Sequence, residues 1–134
     1  AHTRSHPCLS NLHEEQQLED EIVGGADSLS LRLGVPVEHF AFPFGGVDSF
    51  SALAHRIARR RFPLVYSGVR GPNAPRLPAG VLRRESVPLG APRALVGAFL
   101  EGAADFHYRG QRRQLDAWAL NKPTLGSHAP PESA

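Results

Sequence analysis

The sequence predicts a single α/β domain whose strands run parallel to one another. Its 134 residues are enough for one domain at most. Short apolar segments alternate with segments of helical periodicity, an order that is typical of parallel sheets. Gly and Pro residues mark the ends of several of these segments, and the chain contains no internal repeat.

A helix is predicted first, over residues 14–33. Four apolar residues recur at spacings of four, seven and four and are expected to face the core: Leu18, Ile22, Leu29 and Leu33. Acidic side chains crowd the first turns, where they suit the helix dipole, and Gly34 ends the helix. The Gly24-Gly25 pair predicts a kink within this helix.

Two strands and a second helix follow. Residues 40–42 read as a short buried strand that Pro43 and the Gly45-Gly46 turn bring to an end. A second helix over residues 51–61 is expected to turn four residues inward: Leu53, Ala54, Ile57 and Ala58. The next strand is predicted over residues 64–67.

The C-terminal part alternates in the same way. Residues 68–80 form a Gly- and Pro-rich loop, and a last short strand is predicted over residues 85–87. Pro92 suits the first turn of a helix that runs to about Ala103. One more helix is predicted over residues 106–120, with four anchoring side chains: Tyr108, Leu115, Trp118 and Leu120.

Charge is unevenly distributed, although the net charge is only +2. Residues 1–55 hold 2 basic and 8 acidic side chains, and residues 56–134 hold 13 basic and 5 acidic ones. The arginines lie in groups on predicted helices and strands, so solvated faces explain them better than an anionic partner does. Aromatic residues do not interleave with them, which argues against a nucleic-acid site. No apolar run has the length of a membrane span, and the sequence indicates neither a membrane association nor a location.

Two histidines four residues apart open the chain. His2 and His6 can bring both imidazoles to one metal ion across a helical turn or a strand end. With 7 His in 134 residues, chance supplies roughly 0.4 such pairs, so frayed terminal histidines are the alternative. Pro7 directly after the pair, an amphipathic helix and a strand ending in Pro-Phe-Gly at residues 43–45 favour metal binding.

These segments resemble, in the same order, three motifs of the polysaccharide deacetylases, also called the NodB-homology or carbohydrate esterase 4 group. Residues 2–6 fit the second motif, His-(Ser/Thr)-x-x-His, and Pro7 follows as it usually does in the family. Residues 9–15 match its Leu-Ser-x-Leu and acidic helix, and residues 43–45 match Pro-(Tyr/Phe)-Gly, the third motif. The resemblance extends to about Val87.

The resemblance implies the C-terminal portion of a distorted (β/α) barrel within residues 1–90. Residues 91–120 would then form a helical extension, and residues 121–134, with three prolines and little apolar content, a disordered tail. The family's first motif, an Asp-Asp pair that supplies the general base and the third metal ligand, has no match. Because the chain lacks Met and starts inside a motif, we expect it to be part of a longer protein and to be inactive by itself.

The resemblance also implies a metal-dependent deacetylase, with zinc or another divalent metal held by His2 and His6. Hydrolysing an N-acetyl amide requires activated water, a stabilised oxyanion and a proton for the leaving amine. A divalent metal lowers the pKa of water towards about 7 and acts as a Lewis acid. In the family, the backbone N–H at the position of Phe44 points at the oxyanion, and Pro43 and Gly45 would hold it in place.

Other candidate residues are more weakly indicated. Residues 82–87 resemble a Leu-Pro-Arg-x-x-Val motif of a subgroup, in which Arg84 would reach the site, and the general acid has no match. Because Cys8 is the single cysteine of the sequence, an internal disulfide is excluded. Cys8 is expected to be a buried small residue rather than a metal ligand. Asp48 suits a turn, or a cap of the second helix, better than a metal site. Four histidines without a motif are expected on the surface or in the core: His39, His55, His107 and His128.

Two functions from different classes remain open. The first is a hydrolase that removes N-acetyl groups from a polysaccharide or its sugar precursor, with an N-acetylated carbohydrate as its substrate. The second is a non-catalytic glycan-binding relative that has the same fold without the chemistry. An Asp-Asp pair after an apolar strand upstream of this sequence would favour the enzyme.

Overall fold

The computed structural model describes residues 1–73 and 80–120, which form a mixed α/β structure. Three strands, β1 (His39–Ala41), β2 (Leu64–Tyr66) and β3 (Val81–Leu82), lie in that order in one parallel sheet. The registers pair Phe40 with Val65 and Val65 with Val81, so three apolar side chains share one face. The strands run parallel, as the alternation predicts. Three strands do not define a barrel, which remains an expectation from the family resemblance.

The first predicted helix is one helical region in three parts. The helix α1 is Glu15–Glu19, a π-helical segment covers Asp20–Gly24, and α2 is Gly25–Leu33. Gly34 ends the region with a φ of +68°, in the left-handed conformation that glycine adopts at little steric cost. A π-helical segment thus ends at the Gly24-Gly25 pair, where the sequence predicts a kink.

The π-helical segment changes which side chains face the core. Leu18, Ile22 and then Ala26 are buried, in steps of four residues. The prediction that Leu29 and Leu33 also face the core is wrong, because these residues are 38% and 59% exposed. A π turn contains more residues than an α turn, so the two leucines are rotated away from the buried face.

The helix α3 (Ala52–Arg61) connects β1 to β2 and packs against β2. The Ser51 hydroxyl accepts a hydrogen bond from the Ala54 N–H at 3.1 Å and caps α3, the role considered for Asp48. Leu53 is half-buried, and the other predicted inward residues are buried: Ala54, Ile57 and Ala58.

Four phenylalanines form the centre of the core. Phe42 and Phe50 stack with their ring centroids 3.8 Å apart. Phe40 lies 5.1 Å from Phe62 and 5.2 Å from Phe42, again between ring centroids. All four side chains are buried, and Leu115 near the C-terminal end is buried in the same cluster, so both ends of the described chain share one core.

The last strand lies elsewhere than predicted. The predicted strand over residues 85–87 is wrong, because β3 is at Val81–Leu82. The Asn73 side-chain amide donates to the Arg83 carbonyl and accepts from the Arg83 N–H, both at 2.8 Å. The Ser67 N–H donates to the Leu82 carbonyl at 2.9 Å, so β3 pairs with β2 through Leu82, and Asn73 binds the chain directly after β3 ends.

Two helices complete the described chain. The helix α4 (Arg93–Leu100) follows Pro92, as predicted, but ends before residue 103. A 3-10 turn at Asp105–Tyr108 leads into α5 (Arg109–Leu120). Three of the predicted anchors pack into or against the core: Tyr108, Leu115 and Trp118.

Some predictions fall outside the described part of the chain. These are the C-terminal tail, part of the Gly- and Pro-rich loop and the side chain of Leu120. None of the helices within residues 1–73 and 80–120 has the length and apolar character of a membrane-spanning segment.

Candidate metal centre

The predicted site residues gather at the carboxyl edge of the sheet. Ala1 lies beside β1 and accepts a hydrogen bond from the Ala41 N–H at 3.0 Å, so His2 leaves the sheet where β1 ends. Phe44 follows β1, and Arg84 follows β3. In parallel α/β folds this edge collects the loops that carry functional groups.

His2 and His6 face each other through their ring nitrogens. Their Nε2 atoms are 3.1 Å apart, so both imidazoles can reach one metal ion, as the four-residue spacing predicts. The His2 Nδ1 atom lies 2.8 Å from the Ala41 carbonyl oxygen. Because a carbonyl only accepts hydrogen bonds, Nδ1 carries the proton in neutral His2 and Nε2 presents its lone pair to His6.

This geometry suits a shared cation. Two lone pairs at 3.1 Å repel each other unless a proton or a metal ion lies between the nitrogens. Two zinc–nitrogen bonds of about 2.05 Å at a tetrahedral angle place the nitrogens about 3.3 Å apart, close to the distance found. Within residues 1–73 and 80–120, no group of three or more His, Cys, Asp or Glu side chains could hold a metal ion, so the pair provides two ligands.

The backbone between the two histidines forms a tight turn. The Thr3 hydroxyl donates to the His2 carbonyl at 2.6 Å and accepts from the His6 N–H at 3.1 Å. Thr3 and His6 both have left-handed backbones, with φ of 62° and 61°. The hydroxyl of Thr3, the residue directly after the first histidine of the motif, therefore links the backbones of the two histidines.

Glu21 holds the middle of this turn. Its Oε2 atom accepts hydrogen bonds from the Arg4 N–H at 3.0 Å and the Ser5 N–H at 2.9 Å, and its Oε1 atom accepts from the Ser5 hydroxyl at 2.6 Å. Desolvation by burial raises the pKa of Glu21, but the hydrogen bonds from Ser5 and Arg4 and the Arg4 charge lower it below its ordinary value. No pattern in the sequence distinguishes Glu21 from the other acidic residues of its helix.

Phe44 lies beside the histidine pair. Its ring packs edge-on against His6, with 5.1 Å between the centroids, although Phe44 is 69% exposed. Its φ of 60° is left-handed, and the next N–H, of Gly45, bonds back to the Pro43 carbonyl at 2.6 Å. Within the described residues the Phe44 N–H has no hydrogen-bond partner.

A contact between two glycines fixes the turn that presents Phe44. The Gly68 N–H donates to the Gly45 carbonyl at 2.8 Å. A Cβ atom on Gly45 would lie 2.5 Å from the Gly68 nitrogen, and the Gly45 φ is +77°. Only glycine permits both this approach and this conformation without strain.

Arg84 lies on the exposed face of the sheet near the same edge. Its Nε atom donates to the Ser67 carbonyl at 3.0 Å, and its guanidinium carbon lies 5.7 Å from the centre of the Tyr66 ring. Together with Ala41 and Tyr66 it lines a shallow cavity of about 260 Å³. Arg84 has no contact with His6 among the described residues. It shares this cavity with Ala41, whose carbonyl in turn binds His2.

Backbone strain is concentrated at this site. Four non-glycine residues in the described chain have a positive φ, and three of them are Thr3, His6 and Phe44. Such conformations cost on the order of 1–3 kcal/mol each and cluster at functional sites. The strain is an independent indication that these two turns do more than connect secondary structure.

The remaining candidates lie away from the imidazoles. The Cys8 thiol is half-buried and contacts the Ser10 hydroxyl at 3.3 Å and the Ser49 carbonyl at 3.7 Å. Asp48 is exposed and lies over Gly46 in the turn. His39 bonds to the Tyr66 hydroxyl on the surface, His55 is buried beside Trp118 and His107 is exposed beside Phe106, while His128 is outside the described residues.

Compared with known proteins, the chain matches no family model, no curated protein and no solved structure.

Proposed function

We propose that this chain carries part of the metal centre of a hydrolase that removes N-acetyl groups from a polysaccharide or its sugar precursor. The observation that supports this most is the 3.1 Å approach of the His2 and His6 Nε2 atoms. The Phe44 N–H, without a partner in the described chain, lies in the adjacent turn. The substrate class rests on the motif order that resembles the polysaccharide deacetylases.

Each residue has a distinct part in this proposal. His2 and His6 hold the metal through Nε2, and the Ala41 carbonyl keeps His2 in the required tautomer. A bound zinc or other divalent ion supplies Lewis acidity, polarising the amide carbonyl and lowering the pKa of water towards about 7. The Phe44 N–H donates to the oxygen that gains negative charge as the amide carbon becomes tetrahedral. Arg84 orients neighbouring groups without taking part in bond breaking.

Two imidazoles alone do not make a complete catalytic centre. Catalytic zinc sites use three protein ligands, and in the resembled family the third ligand and the general base come from the first motif. We therefore expect these 134 residues to bind zinc weakly and to release no acetate at a useful rate. Zinc-dependent acetate release from chito-oligosaccharides by the 134-residue chain would contradict this expectation.

Zinc titration of the purified chain tests the metal site directly. We expect calorimetry to detect one weak site that His6→Ala abolishes, because one of the two nitrogens is then missing. His107→Ala is the matched control, since His107 is an exposed histidine beside Phe106. Equal zinc affinity of the native chain and His6→Ala would make the proposal wrong.

The non-catalytic alternative makes a different prediction. A glycan-binding relative would bind chito-oligosaccharides without zinc, and His6→Ala would leave the affinity unchanged. Binding of that kind, together with no zinc affinity at the histidine pair, would replace the hydrolase proposal.

A further inference from the structure

The turn at residues 2–6, called here the histidine turn, packs directly against the helical region that carries Glu21. A Cβ atom on Gly25 would lie 2.8 Å from the Arg4 nitrogen and 3.0 Å from the Thr3 carbonyl carbon. Backbone therefore packs against backbone here, and a side chain at residue 25 would push the turn away. Gly25 is needed for this approach rather than being only a weak point in the helix.

Glu21 lies in the π-helical segment, and its carboxylate faces the turn. Glu21 lies within Asp20–Gly24, next to the buried Ile22, and is itself only partly exposed. Widened turns of this kind occur frequently at functional sites, because they re-aim side chains without ending a helix. In this chain the segment carries the Glu21 carboxylate, which accepts hydrogen bonds from three donors of the turn.

The three donors belong to the residues between the two metal ligands. Arg4 and Ser5 are two of the three residues between His2 and His6, so the bonds to their amides fix the part of the backbone that sets the distance between the imidazoles. On its other side the turn is held by the Ala41 carbonyl, through His2. The turn is thus fixed between a strand end and a helix.

We infer that Glu21 is a positioning residue of the metal centre, whose carboxylate holds the Arg4–Ser5 backbone so that the His2 and His6 Nε2 atoms converge on one cation. This inference rests on the proposed function. Without the carboxylate, the Arg4 and Ser5 amides turn to solvent and the left-handed His6 backbone can relax. The two imidazoles then separate, and the chain loses affinity for a shared ion.

Zinc titration of Glu21→Gln and Glu21→Ala tests the inference. We expect Glu21→Ala to weaken zinc binding about 10- to 100-fold, the range typical of residues that orient metal ligands. Glu21→Gln keeps one oxygen acceptor and should lose less. Glu15→Gln is the control: it removes one carboxylate from the same helical region, at an exposed position, and should stay within about twofold of the native chain. Unchanged zinc affinity in Glu21→Ala would overturn the inference.

A metal-free measurement separates this inference from the proposed function. In the native chain, NMR should find the Arg4 and Ser5 amides protected from hydrogen exchange and His2 in contact with His6. In Glu21→Ala both features should be lost, while exchange in α3 stays unchanged and so establishes that the chain still folds. If the native chain bound no zinc, the hydrolase proposal would fail. The positioning role of Glu21 would still be supported if Glu21→Ala lost the contact between the two histidine rings. If that contact were retained in Glu21→Ala, the positioning role would be overturned.

Discussion

Two turns carry the candidate site, and they are held in different ways. In the turn at residues 2–6, side chains form the restraining bonds: the Thr3 hydroxyl within the turn and the Glu21 carboxylate from the helix. In the turn at residues 43–46, the backbone of Gly45 packs against that of Gly68, and the uncharged Ser49 hydroxyl donates to the Pro43 and Gly46 carbonyls. Both turns are sensitive to added volume at a glycine, Gly25 for the first and Gly45 for the second, but only the first is held by a carboxylate and therefore responds to pH.

The two turns also present different chemistry. The first presents imidazole nitrogens, which a side-chain substitution removes. The second presents the Phe44 main-chain N–H, which remains when the side chain is changed. The two turns should therefore differ in which kinds of mutation they tolerate, and also in how large the effect of a mutation is.

The largest expected effect is on catalysis. If a segment upstream of this sequence supplies the Asp pair of the first motif, His6→Ala in that longer chain should abolish turnover because it removes a ligand. Arg84→Ala should lower turnover by about 10- to 100-fold, since an orienting group does not perform the chemistry. Acetate release at saturating zinc measures both, and near-normal activity of His6→Ala would remove the basis of the deacetylase proposal.

The next largest effect is expected at Gly45. Gly45→Ala combines a positive φ with a clash against the Gly68 backbone, and we expect a loss of about 2–4 kcal/mol in the free energy of unfolding. Gly34→Ala is the matched control: its φ is also positive, but a Cβ there has open space, so the loss should be about 1–2 kcal/mol. Equal losses in urea unfolding would contradict the role given to the Gly45–Gly68 contact.

A smaller effect distinguishes the two adjacent glycines of the helix. Gly25→Ala should displace the histidine turn and weaken zinc binding about 10-fold, because its Cβ meets the Arg4 backbone. In Gly24→Ala the Cβ meets only the flexible end of the Arg4 side chain, so the variant should keep native zinc affinity. Its stability should rise by up to about 1 kcal/mol from helix propensity. Similar zinc affinities for the two variants would argue against close packing of the turn on α2.

The smallest expected effect is a pH dependence confined to the histidine turn. Because the pKa of Glu21 is lowered in the folded chain, the stabilisation is complete above the ordinary glutamate pKa and is lost as the pH falls through the lower, folded value. The NMR shifts of the Arg4 and Ser5 amides should follow this titration, and Glu21→Gln should abolish it. The Gly68 amide, bonded to the Gly45 carbonyl, should not follow it. If the Gly68 amide shift followed the same titration as the Arg4 and Ser5 amide shifts, the pH dependence would not be confined to the histidine turn, and the difference drawn between the two turns would be wrong.

Local patterns predicted a large part of the fold. The strands at His39–Ala41 and Leu64–Tyr66 lie within one residue of their predicted positions, and α3 begins one residue after its predicted start, behind its Ser51 cap. The approach of His2 to His6 was also predictable, since both residues belong to one short motif. These features depend on neighbours within a few residues, which the sequence displays directly.

Contacts between distant segments decided the rest. Leu29 and Leu33 were predicted to face the core on a regular helix, and the π-helical segment rotated them out. The last strand lies at Val81–Leu82, and directly after it the Arg83 backbone is bound by Asn73, ten residues away in sequence. A change of helix type produces no periodic pattern in the sequence, and neither does a single side-chain contact between residues ten positions apart.

The sequence by itself determined the alternating α/β order, the residues that could bind a metal and the turn that presents Phe44. Only the tertiary structure decided that Glu21 supports the histidine turn, that Gly25 admits its backbone and that Gly45 needs Gly68. The physical reason is that ligand identity and turn conformation are properties of adjacent residues. The support of a turn depends instead on which distant backbone or side chain the packed core brings within hydrogen-bonding distance.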